Sequence, residues 1–84
     1  MDKVPIGIIG LGGIAQTIHL PILTKLPEVE IVAVCDIDRQ KAQSIARKYN
    51  IKRSYNDYET MLKDEENLIG VDVCVSTNAQ RKLQ

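Results

Sequence analysis

The sequence has 84 residues, about half the length of a typical domain, so it can form only one small hydrophobic core. Its 11 basic and 11 acidic residues cancel, which argues against a nucleic-acid-binding protein and against a polybasic membrane anchor. Apolar residues make up 44% of the chain, an ordinary share for a globular protein, so we do not expect disorder.

The chain opens with an apolar, β-branched run at residues 4–9, which predicts a strand. In residues 13–26 apolar side chains then recur every four positions, which is the pattern of a helix. Pro21 lies inside this pattern and removes one backbone donor, so we expect a kink there. Pro27 marks the predicted end of the helix.

A second strand is predicted for the apolar run at residues 31–35. Residues 38–49 follow with apolar side chains at positions i, i+3, i+4 and i+7, which predicts a helix with one apolar face. Asp38 is a suitable N-cap for this helix, and Asn50 stands where a left-handed residue often closes one.

Two further strands are predicted at residues 52–55 and 71–75. Between them, Asn56 and Glu59 have the spacing of a capping box, which predicts the start of a third helix with Asn56 as its N-cap. The acidic residues 64–66 are expected to form a solvated face.

These elements alternate along the chain as four strands and three helices. The strands show little polar alternation, which is typical of parallel strands covered on both faces. Parallel neighbours need crossover connections, which are almost always right-handed and place the helices on the faces of the sheet. We therefore predict an α/β fold with a doubly wound parallel sheet, the first half of a nucleotide-binding fold plus the strand that begins its second half.

The first strand runs directly into segment 10–15, which matches the pattern G-x-G-x-x-G/A with alanine at the third position. Gly10 permits a tight turn out of the strand, and Gly12 lacks the Cβ that would keep a pyrophosphate away from the backbone. Ala15 is small enough for the helix to pack closely on the strand. The position between a strand and an amphipathic helix favours a dinucleotide-binding loop, and the alternative is a simple tight turn.

The same loop also supplies backbone hydrogen-bond donors. The N–H groups of Gly12, Gly13 and Ile14 are expected to face an anion, assisted by the dipole of the following helix. The pattern G-x-x-x-x-G-K-[ST] is absent from the sequence, so the anion is not expected to be the phosphate of a phosphate-transfer loop.

Asp36 directly follows the second strand and stands 21 residues after Ala15, close to the spacing of about 20 found in dinucleotide-binding folds. Its carboxylate can accept hydrogen bonds from both adenosine ribose hydroxyls and would repel a 2′-phosphate, which favours NAD over NADP. Arg39 leaves NADP as an alternative cofactor, because its guanidinium could pair with a phosphate or stack on adenine. Ile37 is expected to form an apolar wall beside the adenine. The alternatives are that Asp36 is only a cap or loop residue, or that the fold binds a methyl donor.

The remaining reactive side chains belong to no motif. Cys35 and Cys74 form no C-x-x-C pair, so we predict no metal site and two small buried hydrophobic residues. His19 is the only histidine, and it either contacts a cofactor or partner or packs its ring on a neighbouring turn. The apolar amino terminus is interrupted by glycines and suits neither a signal peptide nor a bilayer span, so we expect a reducing, cytoplasmic location and no membrane.

Five segments together resemble the amino end of the Gfo/Idh/MocA family, which is named for glucose–fructose oxidoreductase, inositol 2-dehydrogenase and a rhizopine-catabolism protein. The segments are residues 6–15, 19–21, 32–36, 54–58 and 71–77. The glycine pattern alone is generic to dinucleotide-binding folds, whereas the spacing of all five segments is much more specific.

The resemblance implies an NAD(P)-dependent oxidoreductase that acts on a sugar, a polyol or a related hydroxy compound. Members of the family join an N-terminal dinucleotide domain to a C-terminal substrate domain and often form dimers or tetramers. Residues 78–84 depart from the family pattern, because they lack the Pro and His that usually follow the position of Thr77. The catalytic lysine of the family and its substrate domain lie beyond residue 84. We therefore expect residues 1–84 to be a partial dinucleotide-binding (Rossmann) domain without a catalytic residue of its own.

The candidate cofactor-binding residues come from the glycine loop, from the loop after the second strand and, through the resemblance, from the end of the fourth strand. They are Gly10, Gly12, Gly13, Ile14, Ala15, Asp36, Ile37, Arg39, Ser76 and Thr77. The expected partner is a dinucleotide, and because the fourth strand would lie at an open sheet edge we also expect self-association. The alternatives are a stand-alone nucleotide-sensing or oligomerisation module without enzymatic activity, and a gene fragment without a function of its own.

Overall fold

The computed structural model describes residues 3–13 and 15–74. Four strands form one sheet in which every neighbouring pair is parallel, in the order β3-β2-β1-β4. The strands are β1 (Val4–Ile9), β2 (Val29–Cys35), β3 (Arg53–Tyr55) and β4 (Gly70–Val73). The predicted parallel sheet is confirmed, and the end of the predicted fourth strand at Val75 lies outside the described residues.

Three α-helices connect the strands, as the alternating sequence pattern predicts. They are α1 (Leu20–Leu23), α2 (Arg39–Lys48) and α3 (Tyr58–Asp64). Within residues 3–13 and 15–74, none of the helices is both long and apolar enough to cross a membrane.

The helical region after β1 is shorter and less regular than the single helix predicted for residues 13–26. A π-helical segment, Ala15–His19, precedes α1. Pro21 lies in the first turn of α1, where a missing N–H costs little because the first N–H groups of a helix have no partner inside it. Beyond Leu23 the chain makes turns, and the N–H of Leu26 donates to the carbonyl of Leu23 at 3.2 Å. A π-helical turn and a proline are recognised causes of such irregularity.

The second helix begins and ends as the sequence predicts. Asp38 is the N-cap of α2, and its carboxylate accepts a hydrogen bond from the N–H of Lys41 at 3.2 Å. Asn50, which follows the helix, has a φ of 56°, the left-handed conformation expected of a residue that closes a helix. Ala42 and Ile45 are buried on the apolar face.

The third helix begins one residue later than predicted, because Asp57 and not Asn56 is the N-cap of α3. The Asp57 carboxylate accepts hydrogen bonds from the N–H of Thr60 at 3.2 Å and from its hydroxyl at 2.7 Å. These bonds lower the pKa of Asp57 below its ordinary value, with the hydroxyl of Thr60 as the largest cause. An ionised carboxylate accepts both bonds at once, and the capping box through Glu59 is replaced by this local pair.

Different helices cover the two faces of the sheet, and successive residues of β2 point to opposite faces. Val34 belongs to the core cluster under α1 and α2, whereas Ala33 and Cys35 pack against Met61 of α3. Gly7 of β1 lies directly under α3, where an added Cβ would come within 3.1 Å of the Met61 Cε atom. A side chain at Gly7 would require the ends of the Met61 and Leu68 side chains to shift by a few tenths of an ångström, so glycine suits this tight contact.

Backbone hydrogen bonds outside the strands themselves link the carboxyl ends of β1, β2 and β4. The N–H of Gly10 donates to the carbonyl of Cys35 at 2.8 Å, and the N–H of Cys74 donates to the carbonyl of Ile9 at 2.7 Å. This edge brings together the turn after β1, the loop after β2 and the residue after β4. In open α/β sheets ligands bind at this edge.

Candidate functional site

The turn after β1 has the geometry that its glycines permit. Gly10 has a φ of 87°, a left-handed conformation that side-chain-bearing residues rarely adopt. Gly12 and Gly13 are both exposed, and among the described residues no atom lies within 4 Å of the position that a Cβ would take at either one. As far as the described residues show, the space beside Gly12 and Gly13 is open to a ligand. A larger side chain at either position would fill that space.

Two other residues of the loop hold it on the core. The side chains of Leu11 and Ala15 are fully buried. Gln16 adds a hydrogen bond from its side-chain amide to the carbonyl of Leu11 at 2.7 Å. Ile14, the remaining candidate of the loop, lies outside the described residues.

The Asp36 carboxylate touches the glycine loop directly. Its Oδ2 atom accepts a hydrogen bond from the N–H of Leu11 at 2.8 Å, and its Oδ1 atom accepts one from the N–H of Asp38 at 2.8 Å. A carboxylate has about four lone-pair positions, so these two bonds leave acceptor capacity on a half-buried group at the mouth of the turn. The spacing in the sequence predicts that Asp36 is near a dinucleotide loop, but it does not predict this bond to Leu11.

The side chains after Asp36 extend away from the core. Ile37 is 94% exposed, which is unusual for a large apolar side chain and leaves its surface available for contact. Arg39 is exposed in the first turn of α2. It lines a cavity of about 220 Å³ between α2 and β3, together with Ala42, Gln43, Ser54, Tyr55 and Asn56. The structure thus places Asp36 and Ile37 in the loop after β2 and Arg39 at the start of α2, whereas Ser76 and Thr77 lie outside the described residues.

A buried acidic residue lies outside this site, in the stretch where the sequence predicts a solvated face. Glu65 is 8% exposed and accepts hydrogen bonds from both Arg53 and the hydroxyl of Tyr55, the latter at 2.6 Å. The hydrogen bond from Arg53 is the largest cause that holds the pKa of Glu65 below its ordinary value. Burial, followed by the hydrogen bond to Glu65, raises the pKa of Tyr55 to about 12. This cluster holds the end of α3 on β3, and the prediction of a solvated face is wrong at Glu65.

His19 makes a long-range contact that the sequence does not predict. Its Nδ1 atom lies 2.6 Å from the Oδ2 atom of Asp72 on β4, 53 positions away in the chain. Cys74, two residues after Asp72, is half-buried, and burial is the largest cause that raises its pKa to about 11. Burial likewise raises the pKa of Cys35, which suits its predicted role as a small hydrophobic residue.

Comparisons with known proteins bear on this arrangement. The family model described as "Oxidoreductase family, NAD-binding Rossmann fold" matches residues 4–84. An inositol 2-dehydrogenase of Salmonella typhimurium is 38% identical over 61 residues, which cover 71% of this chain and 18% of the relative. A glucose-6-phosphate 3-dehydrogenase of Bacillus subtilis is 38% identical over 64 residues, which cover 76% of this chain and 18% of the relative.

A solved structure agrees in fold as well as in sequence. The crystal structure of myo-inositol dehydrogenase from Lactobacillus casei in complex with NAD(H) and myo-inositol matches with a TM-score of 0.76 at 34% identity. The match covers 89% of this chain and 22% of that protein. This chain thus spans less than a quarter of the length of each of these relatives. The chain belongs to the Gfo/Idh/MocA family of oxidoreductases and has the NAD-binding Rossmann fold of that family, as the resemblance of its five segments implies.

Proposed function

We propose that this chain forms the adenosine and pyrophosphate half of the cofactor site of an NAD-dependent oxidoreductase. The observation that carries this proposal is the hydrogen bond between the Asp36 carboxylate and the N–H of Leu11. It fixes an acidic group with spare acceptor positions beside an open glycine turn. That combination suits a sugar attached to a diphosphate.

The pyrophosphate, the adenosine ribose and the adenine each have a matching group among the described residues. The exposed turn at Gly12 and Gly13 offers its backbone to the pyrophosphate without a side chain in the way. The remaining acceptor positions of Asp36 suit the two hydroxyls of the adenosine ribose. Ile37 offers an exposed apolar surface to the adenine. Ile14, Ser76 and Thr77 complete the proposed contacts.

The charge at this edge favours NAD over NADP. A 2′-phosphate in the proposed position would meet the Asp36 carboxylate, which is already held by two backbone N–H groups and cannot easily turn away. Arg39 is exposed in the first turn of α2, three residues after Asp36, where its guanidinium could offset part of the repulsion. We therefore propose a preference for NAD with residual binding of NADP.

The proposed reaction belongs to the oxidoreductase of which this chain is one part. The nicotinamide group supplies hydride transfer when it is bound. The relatives described above are named for inositol and glucose-6-phosphate, so we propose a sugar, a polyol or a related hydroxy compound as the substrate. The residues of this chain bind and orient the cofactor, and we assign no proton-transfer group among them. On its own the chain is expected to bind a dinucleotide weakly and to catalyse no turnover.

An NMR titration of the ¹⁵N-labelled chain tests this proposal even if binding is weak. With NAD, the amide signals of Leu11, Gly12 and Gly13 should shift and saturate, and the shifts with NADP should saturate at higher concentration. S-Adenosylmethionine is the control ligand for the methyl-donor alternative. Saturating shifts at these amides with S-adenosylmethionine but not with NAD would overturn the assignment.

A second candidate function is self-association through the edge of the sheet. Among the described residues, β4 pairs with β1 on one side only, and the side chains of Ile69 and Val73 are 73% and 56% exposed. An unpaired apolar edge favours pairing with another copy. We propose that isolated chains associate through β4.

Light scattering tests this self-association. Replacement of Val73 by Lys should shift the protein toward the monomer, because a charge on an edge strand disfavours strand pairing. The matched control is Ile22→Lys, which introduces the same charge at a side chain that is 55% exposed and belongs to α1 instead of the edge strand. A wild-type chain that remains a 9.4 kDa monomer at high concentration would contradict the proposal.

A further inference from the structure

Three potential metal ligands meet on the α1 side of β4. Asp72 and Cys74 are two positions apart along the strand direction, so their side chains share one face of the sheet. His19, at the end of the π-helical segment, lies over the same face and contacts Asp72. The imidazole nitrogen, the carboxylate oxygen and the thiol sulfur all lie within 4.8 Å of one another.

The donor set restricts the kind of ion. One nitrogen, one oxygen and one sulfur donor suit Zn²⁺ and related divalent transition ions, whereas Mg²⁺ and Ca²⁺ prefer oxygen donors alone. In a tetrahedral zinc site with bonds of about 2.0–2.3 Å, neighbouring ligand atoms stand about 3.5 Å apart. The present separations range from 2.6 Å between His19 and Asp72 to an upper limit of 4.8 Å. These distances bracket the tetrahedral spacing, so the three donor atoms are close enough together to share one ion.

We propose that His19, Asp72 and Cys74 form a three-ligand site for a divalent transition ion, with Zn²⁺ as the best match. The side chains of His19 and Asp72 are 37% and 30% exposed, so solvent reaches the cluster and can supply a water molecule as the fourth ligand. No function assigned above uses these three side chains. The proposal therefore goes beyond the dinucleotide site and can fail without affecting it.

Metal binding here would have a structural consequence. His19 belongs to the helical region that follows the glycine loop, whereas Asp72 lies in β4, the neighbour of β1, and Cys74 directly follows β4. A bound ion would cross-link these two elements and stabilise the folded chain relative to the unfolded chain. In the metal-free protein the His19–Asp72 contact already links them.

Titration of the intact 84-residue chain with Zn²⁺ and with Co²⁺ tests the proposal. Calorimetry should give one Zn²⁺ per chain, and Co²⁺ should produce a thiolate-to-cobalt absorption band. Cys74→Ser should abolish that band. His19→Gln and Asp72→Asn should each lower the affinity at least about tenfold, because each removes one ligand.

The matched control is Cys35→Ala, which removes the other cysteine, a residue only 3% exposed on the opposite face of the sheet. This variant should retain the cobalt band and the one-to-one stoichiometry. Circular dichroism of every variant, compared before and after addition of Zn²⁺, should show the same folded chain. The proposal is overturned if folded wild-type protein yields no cobalt–thiolate band, or if the band survives Cys74→Ser and is lost in Cys35→Ala.

Discussion

Asp36 and Glu65 are two acidic residues that the fold uses in opposite ways. Glu65 is 8% exposed, and its carboxylate accepts hydrogen bonds from the side chains of Arg53 and Tyr55. Asp36 is half-buried and, among the described residues, accepts two hydrogen bonds, both from backbone N–H groups, beside a turn whose glycines face open space. A buried carboxylate held by charged and hydroxyl side chains stabilises the fold, whereas the half-buried Asp36 carboxylate keeps acceptor capacity at the edge proposed to bind the dinucleotide.

The largest change that we expect is a loss of folding stability when the Glu65 carboxylate is removed. Replacement of Glu65 by Gln should lower the free energy of unfolding by about 2 kcal/mol, because hydrogen bonds to a charged group are lost from a buried site. Denaturant unfolding measures this change. Its neighbour Glu66 is exposed, and Glu66→Gln should change the stability by less than about 0.5 kcal/mol. Equal effects of the two substitutions would show that burial of Glu65 has no energetic consequence.

A smaller effect should appear at the glycine turn, in binding but not in folding. Gly12→Val should weaken the binding of NAD by at least about tenfold, because the added side chain enters the space proposed for the pyrophosphate. The stability should hardly change, since no described atom lies within 4 Å of the new Cβ. NMR titration and denaturant unfolding of the same sample measure both quantities. Unchanged NAD affinity in the folded variant would place the pyrophosphate elsewhere.

The smallest effect is the pH dependence of the Glu65 cluster. Arg53 and Tyr55 lower the pKa of Glu65 below the ordinary 4.5, so its stabilisation is present above pH 4.5 and is lost as the pH falls through the lower folded value. The pKa of Tyr55 rises from 10.0 to about 12, so its contribution is complete below pH 10 and disappears between pH 10 and 12.

The free energy of unfolding, measured at a series of pH values, gives both the loss of stability at low pH (the acid limb) and the loss at high pH (the alkaline limb). Glu65→Gln should flatten the acid limb and Tyr55→Phe the alkaline limb, while Tyr58→Phe, at an exposed tyrosine, should leave both unchanged. An acid limb that is identical in wild type and Glu65→Gln would assign the acid sensitivity to other carboxylates.

Local signals in the sequence were sufficient for most of the fold. Hydrophobic runs and caps predict the four strands, the bounds of α2 and the left-handed Asn50, because each depends on neighbouring residues. A kink at Pro21 was expected, but the π-helical segment Ala15–His19 before it was not, since apolar spacing does not distinguish an α-helical turn from a π-helical turn. The choice of Asp57 over Asn56 as the cap of α3 was missed because adjacent residues compete for one position.

Long-range contacts were beyond the reach of the sequence pattern. The spacing between Ala15 and Asp36 predicts an acidic group near the loop, but the bond to Leu11 depends on how β1 and β2 align. Glu65 was predicted to be solvated because acidic residues flank it, and its partners Arg53 and Tyr55 lie on another element. The contact of His19 with Asp72 spans 53 positions and carries no local signature.

The most direct test of the account compares the dissociation constants of NAD and NADP for wild type and Asp36→Asn. The amide oxygen of Asn can still accept the N–H of Leu11, but its NH2 group cannot accept the N–H of Asp38. The variant therefore removes the charge, the spare acceptor capacity and one backbone hydrogen bond. Asp64→Asn, the same change at an exposed residue of α3, is the control. We expect NAD binding to weaken at least about tenfold in Asp36→Asn, with a reduced preference over NADP, and no change in the control. NAD affinity that is equal in wild type and folded Asp36→Asn would contradict it.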